Sequence, residues 1–183
     1  SMEYIKTSIE GVYIIEPKVF RDARGYFFEA WKKREFEDNV GRVDFVQDNE
    51  SRSSYGVLRG LHYQKGEFSQ AKLVRVIKGT VLDVAVDIRK SSPTFGKYVA
   101  VELSDDNKRQ LFIPRGFAHG FLVLSDDAIF TYKVDNPYAP HAEASIRWND
   151  KDIDIEWPID PAMVTTSDKD LNASTLKDAE VFE

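Results

Sequence analysis

Cysteine is absent from this sequence of 183 residues. Its absence excludes a disulfide framework, a thiol nucleophile and a zinc site built on thiolates. The length is sufficient for one domain with a buried core, and we expect residues 1–183 to form a single domain.

Long apolar runs are also missing, since no stretch approaches the roughly 20 residues of a membrane-spanning helix. The opening residues, SMEYIKTSIEG, lack the basic and apolar regions that are typical of a secretory signal. We therefore expect a cytoplasmic protein without membrane contact.

An excess of basic residues is lacking as well, because 25 Lys and Arg stand against 31 Asp and Glu, for a net charge of −6. This balance argues against general nucleic-acid binding, which normally requires a basic face. An acidic chain can still bind an anionic small molecule if its few cations gather in one cleft.

Strand-like segments dominate the sequence. They alternate apolar and polar residues, are rich in Val, Ile, Phe and Tyr, and span 11–20, 74–88, 97–105, 109–114, 119–125 and 128–134. Turn residues separate them, which predicts a mainly β fold, an antiparallel jelly roll. Two short helices are predicted over 30–39 and over 167–176, the second with Ser167 as its N-cap. The N-terminal strand is a candidate for pairing with a second subunit.

The segment 56–79, GVLRGLHYQKGEFSQAKLVRVIKG, carries the strongest functional signal. Arg59, His62 and Lys72 stand among alternating apolar residues, where a core or a ligand pocket is expected. A guanidinium, an imidazole and an ammonium group in one concave site indicate proton transfer on an anionic substrate.

Two of the three histidines are candidates for chemistry. His62 and His119 are expected at strand ends beside glycines, which permit tight turns and close backbone approach. A lone histidine is more often an ordinary packed or surface residue, and this remains the interpretation of His141 in the segment NPYAPHAEA.

The segment PRGFAHGF resembles the second sequence signature of the cupin superfamily, and the segment above resembles the first. In metal-binding cupins these signatures supply three His and one Glu. Only His62 and His119 match that ligand set, because Gln64 occupies the second His position and Lys72 the Glu position. An ammonium group repels a divalent cation and Gln is a poor ligand, so we expect no metal.

Lys72 in place of a metal suits the removal of a proton next to a ketone. The enolate oxygen must be stabilised as it forms, and one positioned donor in a dry site contributes roughly 2.7–4 kcal/mol. His62 is the expected base, provided that a carboxylate fixes its tautomer. Asp168 and Asp170 are candidates, although from the residues alone either is more readily a solvated carboxylate at a helix start.

Several segments together resemble the dTDP-4-dehydrorhamnose 3,5-epimerase family: QDNESRS, LRGLHYQ, AKLVRVIKGTVLDVAVDIRKSSPTFGKY, IPRGFAHGF and TTSDKD. The resemblance extends from about Ile14 to Leu176. It implies a cupin-type jelly-roll β-barrel with a few short helices, and a cofactor-independent isomerase of dTDP-L-rhamnose biosynthesis. The implied substrate is a dTDP-4-keto-6-deoxy sugar, and the implied assembly is a homodimer whose N-terminal strands join the partner's sheet.

The resemblance also implies roles for individual residues. His62 corresponds to the catalytic base, Asp170 to its carboxylate partner, and Lys72 to the cation that stabilises the enolate. Tyr132 corresponds to the acid that returns a proton on the opposite face; without the resemblance it would be interpreted as a cross-strand aromatic residue. The implied binding residues are Arg24 and Glu29 for the substrate, Gln47 and Asn49 for the nucleotide, Arg59 and Lys169 for the diphosphate, and His119 and Glu143 for further contacts.

Other functions remain open at this point. A metal-dependent cupin oxygenase or isomerase is disfavoured by Gln64 and Lys72. A non-catalytic nucleotide-sugar-binding cupin would be expected to lack His62 or Tyr132, and both are present. Relatives that epimerise a single carbon, or that shift the ketone, share the fold and much of the pocket. The residues alone do not fix the number of carbons inverted or the preferred nucleotide base.

Overall fold

Two antiparallel sheets contain most strands of the computed structural model, which describes residues 2–183. The first sheet has the order β1 (Glu3–Lys6), β2 (Tyr13–Glu16), β10 (Gln110–Ile113), β7 (Lys72–Lys78), β12 (Asp127–Val134) and β5 (Gln47–Ser54). The second has the order β13 (Glu143–Ser145), β6 (Leu58–Gln64), β11 (Phe117–Val123), β8 (Thr80–Asp87) and β9 (Tyr98–Ser104). The mainly β, antiparallel architecture predicted from the sequence is confirmed.

A separate hairpin consists of β3 (Phe20–Asp22) and β4 (Gly25–Phe27). The helices are short: α1 (Lys33–Asn39), α2 (Asp168–Leu171) and three 3₁₀ turns at Gly66–Phe68, Pro140–Ala142 and Pro161–Met163. Among residues 2–183, none of these helices has the length and apolarity needed to cross a bilayer.

The main core lies between the two sheets, where their inner faces meet. Val74 and Phe130 project into it from the first sheet, and Val81 and Phe121 project from the second. The rings of Phe121 and Phe130 stack with centroids 4.1 Å apart, which joins the two sheets directly. A smaller cluster around Leu61 and other buried residues covers the outer face of the second sheet.

The structure corrects three element predictions. The predicted strand over 11–20 is interrupted after Glu16, because Pro17 has no N–H to donate to a ladder. The predicted helix over 167–176 does begin with the Ser167 cap, whose Oγ accepts from Asp170 N (3.2 Å), but it ends at Leu171. The chain then joins the sheet edge, where Arg147 N donates to Ser174 O (2.8 Å). Strand β5 was not among the predicted segments.

Candidate active site

Polar side chains project from the inner faces of both sheets toward one another. On the first sheet Lys72 (β7) and Tyr132 (β12) share the inner face with core residues such as Val74, the cross-strand neighbour of Tyr132. On the second sheet His62 (β6) lies directly opposite His119 (β11). The alternation of strands thus places four ionisable groups inside the barrel.

His62 and His119 lie within their strands, so the expectation that they occupy strand ends is wrong. The nearby glycines serve close approach of the two strands. A Cβ at Gly60 would lie 2.7 Å from Gly120 Cα, and a Cβ at Gly120 would lie 2.7 Å from Arg59 O. Glycine at both positions is therefore required for β6 and β11 to bring the histidines together.

His62 is paired with a carboxylate from α2. Its Nε2 lies 2.6 Å from Asp170 Oδ1, and the other carboxylate oxygen accepts from Gly60 N (3.0 Å). Asp170 is buried and Asp168 is exposed, which decides between the two candidate partners. Because a carboxylate only accepts, Nε2 carries the proton and Nδ1 is free to act as a base.

The protonation state of Asp170 follows from its contacts. Burial alone would raise the pKa of this carboxyl group. The hydrogen bond and charge of His62 outweigh burial, with help from the Gly60 N–H and the Lys169 charge, so the pKa of Asp170 lies below its ordinary value. The group is therefore an anion that stabilises the imidazolium of His62 once His62 has accepted a proton.

Lys72 is a buried cation, with 8% of its surface exposed. Burial lowers the pKa of Lys72 to about 8, and the charge of Asp83 partly opposes this change. Its Nζ lies 5.6 Å from the centroid of the Tyr132 ring. The ammonium group thus lies beside the predicted acid, inside the barrel.

A second histidine–carboxylate pair was not predicted from the sequence. His119 Nε2 lies 2.7 Å from Asp83 Oδ1, and both residues are buried. Burial lowers the pKa of His119, against the raising effect of Asp83, and Lys72 and His62 lower it further. His119 is therefore neutral near neutral pH.

Gln64, at one of the metal-ligand positions of the cupin signature, is engaged in structural contacts. Its Nε2 donates to Phe68 O (2.8 Å) and its Oε1 accepts from Ala139 N (2.8 Å). Within residues 2–183, no three His, Asp or Glu side chains are grouped in a way that could hold a metal ion.

Most of the predicted binding residues lie around the edge of the site. Gln47 Nε2 donates to Asn49 Oδ1 (2.8 Å), and the same amide accepts from Tyr138 N (3.2 Å). The Tyr138 hydroxyl donates to Glu143 (2.7 Å), which forms an ion pair with Lys169. Tyr138 is 59% exposed and was not predicted, although an aromatic residue in a polar loop is a recognisable signal.

Arg59 lies at the same rim and not among the buried groups, contrary to its predicted place beside His62 and Lys72. It is exposed, and its Nε donates to Ser53 Oγ on β5 (2.9 Å). Arg59 pairs with Phe121 on β11, and the strand register shifts between His119 and Phe121. Arg59 and His62 therefore lie on either side of this register shift. Its guanidinium remains available to an anionic group outside the barrel.

The structure does not bring Arg24 and Glu29 to the other predicted residues. Arg24 lies in the turn of the β3–β4 hairpin, where it pairs with Asp22 (2.7 Å) and its side chain is 91% exposed. Glu29 pairs with Lys32 (3.3 Å) outside the barrel. Neither residue forms a hydrogen bond or an ion pair with the inner-face groups among residues 2–183.

Comparison with known proteins identifies the family of this chain. The model of the family described as dTDP-4-dehydrorhamnose 3,5-epimerase matches residues 6–178. The chain belongs to this family. The dTDP-4-dehydrorhamnose 3,5-epimerase of Shigella flexneri is 58% identical over 182 residues, which cover 99% of each chain.

Solved structures of the family share the fold. The dTDP-6-deoxy-D-glucose-3,5-epimerase of Legionella pneumophila, solved in complex with dTDP-4-keto-L-rhamnose, has a TM-score of 0.95 at 50% identity and covers 98% of this chain and 95% of its own. A 3′-monoepimerase from Streptomyces bikiniensis has a TM-score of 0.88 at 36% identity and covers 94% and 87%. The predicted cupin-type jelly roll, epimerase family and isomerase class are confirmed.

A cavity of about 380 Å³ lies against the outer face of the first sheet. Arg75 and Lys133, which alternate with inner-face residues of β7 and β12, line it together with Trp31 and Gln110. Tyr132 also borders this cavity, whereas His62, His119 and Lys72 are not among its lining residues.

Proposed function

We propose that this chain converts dTDP-4-dehydro-6-deoxy-D-glucose to dTDP-4-dehydro-L-rhamnose in dTDP-L-rhamnose biosynthesis, by exchanging protons at C3 and C5 of the sugar. The observation that carries this proposal is the placement of His62 and Tyr132 on facing sheets, with Lys72 beside Tyr132. A base and an acid on opposite walls can act on opposite faces of a sugar between them.

In the first step Nδ1 of His62 removes a proton next to the C4 ketone. Asp170 stabilises the imidazolium that forms, because its carboxylate is bonded to Nε2 at 2.6 Å. The electron pair left by the proton moves onto the C4 oxygen, which becomes an enolate. The buried ammonium of Lys72 stabilises this oxygen, and one such interaction contributes roughly 2.7–4 kcal/mol in a dry site.

In the second step the Tyr132 hydroxyl returns a proton to the same carbon from the other face, and the ketone re-forms. His62 then loses its proton and Tyr132 regains one through exchange with water. Because C3 and C5 both flank C4, one enolate site can serve both carbons if the sugar turns between the two events. The oxidation level is unchanged, so no redox cofactor takes part in these steps.

The rim residues fit the nucleotide half of the substrate. Arg59 and Lys169 provide the positive charge for the diphosphate, the first as a guanidinium fork that fits phosphate oxygens and the second as an ammonium group. Gln47 and Asn49 offer amide groups for the base, and the exposed ring of Tyr138 offers a flat surface for stacking. Glu143 orients Lys169 and Tyr138 through direct contacts.

We also propose that the working form is a homodimer. The β3–β4 hairpin is a two-stranded sheet on which Phe20, Tyr26 and Phe27 are exposed (52%, 57% and 65%). An isolated hairpin is marginally stable, and three exposed aromatic residues favour burial against a partner. Arg24 lies in this hairpin and Glu29 follows it by two residues, so their substrate contacts would be made in the pocket of the second subunit. A cytoplasmic location remains a prediction.

Deuterium incorporation tests the proposed reaction. Incubation with dTDP-4-dehydro-6-deoxy-D-glucose in D₂O should place deuterium at both C3 and C5, as followed by proton NMR. Incorporation at neither carbon would contradict the proposed function.

The second candidate function is epimerisation of one carbon, which is favoured by the fold similarity to the Streptomyces bikiniensis 3′-monoepimerase. Deuterium at C3 alone, with C5 untouched throughout the time course, would identify that activity. The same experiment therefore separates the two candidates.

A further inference from the structure

Asp83 occupies a position that the proposed mechanism does not yet use. Its side chain is fully buried on β8, where the cross-strand neighbours Phe121 and Val101 are core residues. Oδ1 contacts His119, but Oδ2 is buried without a hydrogen-bond partner among residues 2–183. A half-paired buried carboxylate is costly for the fold, so its presence calls for a functional reason.

Asp87, on the same strand, is a buried carboxylate with structural hydrogen bonds and can be compared with Asp83. It is equally buried, but its two oxygens accept hydrogen bonds from Arg89, Ser92 and Thr94. Both oxygens of Asp87 accept hydrogen bonds, whereas Oδ2 of Asp83 has no donor within residues 2–183.

The surroundings of Asp83 connect it with the proposed catalytic groups. The ring of His119 lies 6.5 Å from that of Tyr132, and Tyr132 in turn lies beside the Lys72 ammonium. Asp83 and Lys72 both face the core between the sheets, since Val81 and Ala85 on β8 and Val74 on β7 belong to it. The charge of Asp83 opposes the lowering of the Lys72 pKa by burial. The other ionisable groups facing this region are His119 from β11, His62 from β6 and Tyr132 from β12, while β9 and β10 contribute Val101 and Ile113.

We propose that Asp83 is a positioning residue that holds His119 in its Nε2–H tautomer and keeps Lys72 in the ammonium form required by the enolate. This inference rests on the proposed function. The tautomer follows from the 2.7 Å contact, because the carboxylate can only accept and Nε2 must donate. The charge effect follows from burial, since one negative charge in a region of low dielectric favours a nearby cation.

Asp83→Asn separates the charge from the hydrogen bond, because the amide oxygen still accepts from His119. Without the negative charge Lys72 should lose its proton at lower pH, so the alkaline limb of the kcat–pH profile should shift down by about one pH unit. Above the wild-type midpoint kcat should then be roughly tenfold below wild type, and it should approach wild type near pH 6. KM should change little.

Asp87→Asn is the matched control, since it removes a buried charge from the same strand without removing the charge that acts on Lys72. It should reduce thermal stability and leave the alkaline midpoint in place. An Asp83→Asn enzyme that folds and keeps the wild-type midpoint would overturn the proposal.

Two NMR readouts are independent of catalysis. Titration of ¹³Cε-labelled lysine should show a lower midpoint for Lys72 in Asp83→Asn than in wild type, and equal midpoints would overturn the charge role. In case the variant does not fold, ¹⁵N NMR of histidine in the wild-type protein should show His119 as the Nε2–H tautomer, and the Nδ1–H tautomer would overturn the proposal. Absence of deuterium exchange in the wild-type enzyme would contradict the proposed reaction. The lysine titration and the histidine tautomer would still test the role of Asp83.

Discussion

At the scale of single residues, the reactivity of His62 depends on the carboxylate behind it. Asp170 fixes Nε2 as the donor and leaves Nδ1 free, and the same carboxylate binds the Gly60 N–H. The tautomer of the proposed base therefore depends on a helix of four residues whose first turn is capped by Ser167. Changes at this contact should alter turnover and leave the nucleotide contacts at the rim in place.

Asp170→Asn should lower kcat by about 100-fold or more, because the amide can donate to Nε2 and favour the wrong tautomer. The affinity for thymidine diphosphate, measured by calorimetry, should change little. Asp168→Asn is the control, since Asp168 is an exposed neighbour on the same helix, and it should behave as wild type. Equal loss in both variants would argue against the pairing of His62 with Asp170.

Lys72 should set an upper pH limit on activity. Folding lowers its pKa to about 8, so the ammonium form is present below that pH and is lost as the pH rises through it. The kcat/KM–pH profile, which reports the free enzyme, should therefore fall with a midpoint near 8. A flat profile to pH 10 would show that the ammonium form of Lys72 is not needed.

Residue-scale prediction offered candidates where a motif was available and offered none where the pattern indicated only core residues. His62, Lys72 and Asp170 were predicted because they belong to segments shared with the epimerase family. Asp83 was not predicted, because VLDVAVDI is typical of a buried strand and the pattern does not distinguish this acid from the core residues around it. An acid at an inward position of such a strand is the signal that would have found it.

At the scale of elements, the site depends on how closely β6 and β11 approach. Gly60 and Gly120 face each other across these strands, and neither has room for a Cβ. Their contact determines the separation of His62 and His119, which are cross-strand partners. The close approach of β6 and β11 thus sets the distance between the two imidazole groups.

Gly60→Ala should destabilise the protein by more than about 1 kcal/mol and reduce turnover, because its Cβ would lie 2.7 Å from Gly120 Cα. Gly41→Ala is the matched control: Gly41 has a similar φ of +133, against +131 for Gly60, but nothing lies within 4 Å of its Cβ. Urea denaturation should show the larger loss for Gly60→Ala. Equal losses of stability in the two variants would mean that the positive φ, and not the close approach of the strands, is the reason for glycine at position 60.

Element prediction was limited by polarity and by tertiary contacts. Strand β5, QDNESRSS, has no apolar alternation, and it is held at the edge of the first sheet by pairing with β12. The short extent of α2 reflects the pairing of Ser174 with the edge of the second sheet, a contact distant in sequence. Neither feature is encoded in local propensity.

At the scale of the whole molecule, the inner faces of both sheets meet in one core, and we propose that residues 1–183 form the single domain predicted from the sequence. The hairpin carrying Arg24 lies outside this core and exposes aromatic residues. In the proposed homodimer, assembly as well as folding completes the substrate site.

Phe27→Ser should weaken dimer formation roughly tenfold or more, because Phe27 is 65% exposed on the hairpin and its burial against a partner would be lost. Sedimentation equilibrium measures this change, and kcat/KM should fall on dilution in parallel. Met163→Ser, an exposed apolar side chain outside the hairpin (54%), should leave the association constant unaltered. A wild-type chain that sediments as a monomer at micromolar concentration would contradict the dimer.

The replacement of a metal by a buried ammonium group is most directly tested with Lys72→Met. The cost of holding this cation in the barrel at neutral pH is about 3 kcal/mol, from a pKa lowered from 10.5 to about 8, so the variant should fold at least as stably as wild type. Its deuterium exchange at C3 and C5 of the bound keto sugar should be measured by NMR beside wild type, with thymidine diphosphate binding as the check on folding. We predict exchange at least 100-fold slower at both carbons with binding retained; exchange near the wild-type rate would contradict the role of Lys72.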